Sequence, residues 1–301
     1  MRVLVIKLAA LGDFAQAFGP FAAIRAHHPG ARITLLTTRP YAALARLSPW
    51  FDEVWEDGRP DWTDVPAVLR LARRLRAARF DRVYDLQTSS RSSRYRWFVG
   101  RRAAWSGIAP GASHPHANPA RDAMHTVDRQ REQLAMAGIR DVPAPELGWL
   151  DADLARFGLP ERFCLLVPGA SPGRPAKRWP LERFGALAAR LHMPAVVLGG
   201  PAEAPLADAI LAAAPGAIDL TGRTSFAEIG ALARRAACCI GNDTGPTHLV
   251  AACGCATLAL FGADSDPALC APRGPRAAWV RHIPLAELDP EAVRAALARL
   301  V

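Results

Sequence analysis

The sequence predicts an α/β protein of two doubly wound parallel-sheet domains in series. Three observations carry this: apolar strand-like runs alternate with helix-like segments along the chain, the alternation restarts after a proline-rich break, and 301 residues exceed what one hydrophobic core usually holds. Short apolar runs at 2–8, 32–38, 51–56, 81–87 and 103–108 read as strands. Helical spacing covers 14–28, 40–47, 64–79 and 91–99 between them. A His/Pro/Ala-rich passage at 109–123 and a helix near 126–137 follow. The segment 139–154 holds two prolines, Pro143 and Pro145, with little periodicity and reads as the linker. The second series has strands at 163–169, 194–200, 217–222, 238–243 and 256–262, with helices at 180–192, 203–213, 225–235 and 246–253. The final segment, 288–301, starts at an Asp289 cap ahead of Pro290 and keeps helical spacing to its end.

Composition narrows the function classes. Half of the residues are hydrophobic, yet no apolar stretch approaches the ~20 residues needed to span a bilayer. The opening "MRVLVIKLAALGD" has its apolar run interrupted by Lys7 and Asp13 and reads as a first strand, not a secretion signal. Six cysteines (164, 238, 239, 253, 255 and 270) lie in apolar segments without the paired spacing of a zinc site, as expected of reduced, buried thiols in the cytoplasm. The net charge of +9 is uneven: residues 1–150 carry 22 basic against 14 acidic side chains, and residues 151–301 carry 15 against 14. The first half therefore meets something anionic: a phosphorylated substrate, an acidic membrane face or nucleic acid. Only two of the 37 basic residues are lysine, so "RLARRLRAAR" at 70–79 also fits the solvated helix face of an arginine-biased protein.

Doubly wound domains bind ligands at the carboxyl ends of their strands, in the cleft between two such domains. Four motifs follow strands: "LAALGDF" (8–14), "VPGASPGRPAKRWP" (167–180), "LGGPAE" (198–203) and "GNDTGPTH" (241–248). None is GxGxxG, which removes the usual nicotinamide fingerprint, and "GRPAKRW" lacks the ending of a Walker motif. In the last motif Pro246 suits the first helical position, and Thr244 or Asp243 suits the cap. The helix N-terminus so formed carries partial positive charge and unpaired N–H groups, a natural seat for phosphate.

The combination "IKLAALGD", "GASPGRPAKRWP" and "CIGNDTGPTHLVAACGCATLALFG" resembles glycosyltransferase family 9, the ADP-heptose:lipopolysaccharide heptosyltransferases, over essentially the whole chain. Its most specific part is Asn-Asp-Thr-Gly-Pro-x-His. The resemblance implies the GT-B fold, two Rossmann-like domains facing a central cleft. It also implies an acceptor-binding domain at 1–150 and a nucleotide-sugar domain at 151–301, with the final helix, 289–300, packing back on the N-terminal domain.

Inverting sugar transfer needs a base for the acceptor hydroxyl, positive charge for the leaving diphosphate and a dry cleft. The family's base matches Asp13, whose plainer reading is an N-cap. The family's phosphate lysine matches Lys177, whose plainer reading is a solvent-exposed loop residue. On the donor side, Thr244, Gly245 and the amides beyond them are expected at phosphate oxygens, Asp243 at sugar hydroxyls, Glu203 at the ribose, and Ser171 and His248 beside them. His248 equally suits a hydrogen-bonded core residue, and Glu203 a helix cap. Gln87, Ser89, Arg91 and Arg94 suit a phosphorylated acceptor, or the start of an amphipathic helix.

No Asp-x-Asp motif follows a strand, so neither a divalent metal nor any other cofactor is expected. The reading is a cytoplasmic transferase moving heptose from ADP-heptose to an anionic lipopolysaccharide-core acceptor, with peripheral contact to the inner membrane through basic residues of the first domain. Its rivals are a GT-B transferase with another nucleotide sugar, a silent nucleotide-sugar-binding protein and a basic nucleic-acid-binding protein. Nucleic acid is not expected as a partner, because no recognition module is present.

Overall fold

The computed structural model describes residues 1–171 and 173–301; Pro172, within the 167–180 motif, lies outside the described residues. The chain divides into two compact units, Met1–Glu146 and Leu147–Val301, a division that falls inside the proline-rich 139–154 segment.

In the first unit, strands β1 (Arg2–Ile6), β2 (Arg32–Thr37), β3 (Glu53–Glu56), β4 (Arg82–Asp85), β5 (Ala104–Gly107) and β6 (His114–Pro115) form one parallel sheet in the order β3-β2-β1-β4-β5-β6. Its helices are α1 (Leu11–Ala15), α2 (Phe18–His27), α3 (Arg39–Leu47), α4 (Val65–Ala77), α5 (Ser90–Val99) and α6 (Thr126–Met136). Val3 to Ile6 in β1 are all fully buried, as continuous apolar runs must be when helices cover both faces of a parallel sheet. Each such side chain contributes roughly 1.5–3 kcal/mol of burial. The helix expected over 14–28 is in fact two, α1 and α2, broken at Gln16 and Ala17. Pro20 has no N–H to return to the carbonyl of Gln16, so the ladder is interrupted there.

The second unit repeats the plan with β7 (Cys164–Val167), β8 (Ala195–Val197), β9 (Ile218–Asp219), β10 (Cys238–Asn242), β11 (Thr257–Phe261) and β12 (Ala277–Arg281), in the order β12-β11-β10-β7-β8-β9. Its helices are α7 (Leu181–Ala188), α8 (Ala204–Ala213), α9 (Phe226–Arg235), α10 (Gly245–Ala252), α11 (Pro267–Cys270) and α12 (Pro290–Ala298). Both sheets therefore have the strand order of a dinucleotide-binding fold, in which the chain reverses direction across the sheet between the first strand and the fourth. The reversal lies between β1 and β4 in the first unit and between β7 and β10 in the second.

Asp289 caps α12 by accepting the N–H of Glu291 at 2.7 Å. α12 packs on α7, and its Val293 and Leu297 join the core formed by Leu166, Val197 and Leu260 of the second unit. Burying that stripe beside β11 gives the helix its place. Cys164, Cys238, Cys239 and Cys255 are buried and no cysteine among the described residues is in a disulfide, while Cys253 and Cys270 are half-buried. Among the described residues no helix is long and apolar enough to cross a membrane.

Candidate functional site

In the second unit, the loops after β7 and β10 meet where the strand order reverses, with Gly241 paired to Val167. Asn242, fully buried at the end of β10, ties them together. Its amide nitrogen donates to the carbonyl of Pro168 at 2.7 Å, and its oxygen accepts the N–H of Trp179 at 3.1 Å. Trp179 is buried, donates its indole N–H to the carbonyl of Leu288 at 2.9 Å, and meets Phe184 edge-on. The loop between these anchors turns through Pro175–Lys177 and delivers the Lys177 ammonium to Asp243 Oδ2 at 2.5 Å. Gly262, just beyond β11, makes this turn possible: a Cβ there would lie 2.2 Å from the carbonyl oxygen of Ala176.

The other oxygen of Asp243 meets His248 Nε2 at 2.9 Å. Burial alone would push the Asp243 carboxyl up, but the hydrogen bonds and charges of His248 and Lys177 outweigh it and hold the group down at about 2. Asp243 is thus an anion at neutral pH, nearly enclosed, with a partner on each oxygen.

The helix that follows corrects the expected cap. Its first residue is Gly245, so Pro246 stands second. Thr244 occupies the N-cap position without a side-chain capping bond, and the Asp243 carboxylate is engaged by Lys177 and His248 instead. Thr244 lines a cavity of about 190 Å³ with Ser171, Glu203, Gly169, Gly199 and Pro246. Glu203 accepts the N–H of Gly200 at 2.7 Å. A Cβ at Gly199 would sit 2.7 Å from that of Glu203, so the bare backbone there makes room for the carboxylate. The structure brings Ser171, Glu203 and Thr244 to one cavity, and Lys177, Asp243 and His248 into one ion-paired cluster beside the start of α10.

In the first unit the corresponding place is the end of β1 beside β4, where Ile6 pairs with Asp85. Asp13 is the third residue of α1, not its N-cap, and its Oδ2 accepts the N–H of Ala10 at 3.2 Å. The loop before it is pinned from two sides. Gln87 Oε1 accepts the N–H groups of Leu8 and Ala9 at 2.8 and 3.1 Å, and Thr38 donates its hydroxyl to the carbonyl of Leu8 at 2.6 Å.

Lys7, only 4% exposed, donates to the carbonyl of Leu86 at 3.1 Å. Burial lowers its pKa, the charges of Asp13 and Asp85 oppose that shift, and Arg129 of α6 adds to it. Asp85 is fully buried, which raises its carboxyl to about 6 despite the N–H groups of Thr88 and Gln87 on its Oδ1.

The remaining residues named for the acceptor side have local partners. Ser89 caps α5 by accepting the N–H of Ser92 at 3.2 Å. Arg91 and Arg94 both lie over the Trp62 ring, 4.8 and 4.9 Å from its centre, and Arg91 also donates to the carbonyl of Pro60. Sequence reasoning missed Asn242, Lys7 and Arg129. Lys7 had a signal, since it is one of two lysines and stands inside an apolar strand. Asn242 stood in the Asn-Asp-Thr-Gly-Pro-x-His signature without a role of its own, and Arg129 was one arginine among many.

Comparison with known proteins identifies the family and the fold. Residues 68–292 match the model for glycosyltransferase family 9 (heptosyltransferase). Lipopolysaccharide heptosyltransferase 1 of Pseudomonas aeruginosa is 27% identical over 300 residues, which covers 87% of this chain and 79% of that protein. Among solved structures, the E. coli ADP-heptose lipopolysaccharide heptosyltransferase II superposes with a TM-score of 0.79 at 22% identity, covering 100% of this chain and 98% of the other. The family 9 glycosyl transferase from Veillonella parvula gives 0.84 at 22% identity, covering 99% and 96%. The fold is GT-B, and the chain belongs to glycosyltransferase family 9, the heptosyltransferase family.

Proposed function

We propose that this protein transfers heptose, with inversion, from ADP-heptose to a phosphorylated sugar of the lipopolysaccharide inner core, at the cytoplasmic face of the inner membrane. The observation that carries the reading is the Lys177–Asp243–His248 cluster beside the N-terminus of α10, next to the cavity of Ser171, Glu203 and Thr244. The names of its relatives support the donor and the acceptor class.

In this reading the diphosphate of the donor meets the N–H groups that open α10, together with the Thr244 hydroxyl and the Lys177 ammonium. An ammonium has three N–H donors, and Asp243 takes one of them. The other two serve phosphate oxygens while Asp243 holds the nitrogen in place. Glu203 and Ser171 hold the ribose side; their cavity is smaller than the ~300 Å³ of a typical ligand pocket and takes one part of a nucleotide sugar.

Asp13 removes the proton of the acceptor hydroxyl. That oxygen forms its bond to the anomeric carbon on the face opposite the diphosphate, and the bond from that carbon to the diphosphate breaks. The electron pair leaves with ADP, whose added negative charge is met by Lys177 and the α10 N-terminus. Lys7 and Arg129 lie close enough to Asp13 for its charge to act on theirs. Arg91 and Arg94 add positive charge for an acceptor phosphate.

Calorimetric titration with ADP, UDP, GDP and ADP-heptose, beside Asp243→Ala and Asp243→Asn, tests the donor site. Selective binding of ADP and ADP-heptose, weakened in both variants, is the expected result. Preference for another nucleotide would remove the heptose assignment.

A further inference from the structure

The outer face of α4 and α5 in the first unit plays no part in the chemistry above, yet it is unusual in two respects. The first is charge. Residues 65–80 contain five arginines and no acidic residue, and no acidic residue occurs between Asp85 and Asp122, a stretch holding Arg91, Arg94, Arg96, Arg101 and Arg102. Among the described residues, the ion pairs of this unit leave out every arginine of α4 and α5.

The second is exposed apolar surface. On α4, Leu71 and Leu75 face the sheet and are buried, while Val65 and Leu69, one turn apart, are 56% and 45% exposed. On α5, Tyr95 is buried and Trp97 is 69% exposed. The helices pack side by side, and Arg76 of α4 donates to the backbone carbonyl of Trp97 at 3.1 Å. Val65, Leu69 and Trp97 therefore share one face with Arg73 and Arg76, and Arg101 stands just beyond the end of α5. A solvated helix face does not need an indole and two aliphatic side chains in water.

We infer that this face is a docking surface for an anionic lipid bilayer, seating Trp97, Leu69 and Val65 at headgroup depth and the arginines on lipid phosphates. The inference rests on the reading that the acceptor is carried by a membrane, and it names the surface involved. Charge complementarity selects the occupant: a surface rich in arginine with an interfacial indole suits acidic lipid, whereas two copies of the face would repel each other. α4 and α5 both begin at the carboxyl edge of the sheet, the edge that carries Asp13, so docking there keeps the base near the lipid surface.

The test is co-sedimentation of the full-length protein with vesicles of phosphatidylcholine alone and of phosphatidylcholine mixed with phosphatidylglycerol, at rising salt. Two double variants accompany it, Leu69→Gln with Trp97→Gln and Arg73→Gln with Arg101→Gln. All four side chains are exposed, and thermal unfolding confirms that each variant is folded. Binding should require phosphatidylglycerol and weaken with salt. It should fall about 10- to 30-fold in the arginine variant, as expected for two basic residues at an acidic surface, and by a similar factor in the apolar one. Equal binding to both vesicle types, or no change in either variant, overturns the inference. So does a self-association that Trp97→Gln abolishes in a protein without vesicle affinity, because the occupant is then a second copy. Transfer to a soluble, de-acylated acceptor is followed in parallel. Its persistence without vesicle binding defeats this inference alone, and its absence with vesicle binding intact defeats the functional reading alone.

Discussion

Lys177 and Asp243 form a 2.5 Å ion pair with side chains only 13% and 4% exposed. The two residues expected to meet different parts of the donor, its diphosphate and its sugar, are thus bonded to each other. Asp243 fixes the ammonium at the start of α10, so in the proposed complex the diphosphate meets a charge already in position and little reorganisation is needed on binding.

The first prediction concerns that ammonium. Lys177→Ala should reduce turnover by roughly 100- to 1,000-fold, the usual loss when a preorganised group that stabilises developing charge is removed, and should weaken ADP binding. Lys177→Arg should recover part of the affinity by keeping the charge, but less of the rate, because a planar guanidinium does not reproduce the point charge. Steady-state kinetics beside ADP calorimetry separates the outcomes. An alanine variant that loses only thermal stability would mean that the pair is structural.

A second prediction follows from the protonation of Asp243, whose folded-state pKa of about 2 lies below its ordinary value. Its contribution to stability is complete above about pH 4 and is lost as the pH falls toward about 2. The size of the shift corresponds to roughly 2 kcal/mol. Asp85 has the opposite sign. Its folded value of about 6 is raised, so its contribution is complete below about pH 4 and lost as the pH rises through 6. Urea unfolding across both intervals should show Asp243→Asn flattening the acid-side loss and Asp85→Asn flattening the neutral-side loss. Unchanged pH slopes in the variants would contradict both assignments.

Asp13 provides the third prediction. Asp13→Asn keeps the size of the side chain and an oxygen to accept the Ala10 N–H, but it cannot take up the acceptor proton. Turnover should fall by about 100- to 10,000-fold, with ADP affinity unchanged because the donor residues all lie in the second unit. If the rate survives, the carboxylate serves only to hold the first turn of α1.

How far these residues could be read from sequence depended on whether their role is local. The βα alternation was legible because each strand is a short apolar run and each helix repeats its own period, so ten of the strands emerged within a few residues of their observed ends. The missing two, β6 and β12, are edge strands; β6 has two residues, and β12 is half-exposed with a mixed pattern. The break at Pro20 was hidden because apolar spacing continues through it.

At the site, Ser171, Glu203 and Thr244 could be placed from motifs that follow strands, and the cavity unites them. The bond between Lys177 and Asp243 spans 66 positions, and no local pattern encodes it. Gln87, expected at the acceptor, also pins the loop ahead of Asp13, a role visible only once β4 lies beside β1.

The last prediction tests whether the backbone around Lys177 is as constrained as its contacts imply. At Gly262 a methyl group would lie 2.2 Å from the Ala176 carbonyl oxygen and 3.2 Å from Leu285 Cβ. Neither neighbour is the end of a flexible side chain, so the turn carrying Lys177 must move. Gly262→Ala should therefore cost about 1–3 kcal/mol, the range for overpacking a tight site. It should also pull the ammonium from Asp243 and α10, weakening ADP binding in the direction of Lys177→Ala although residue 262 touches no ligand in the proposed complex. Gly173→Ala, in the same loop with nothing within 4 Å of the added carbon, is the control and should leave ADP affinity close to that of the parent. Calorimetry and thermal unfolding on the two variants provide the comparison. If Gly262→Ala binds ADP as the parent does, the position of the turn does not set the affinity, and the case for Lys177 as the preorganised charge loses its structural basis.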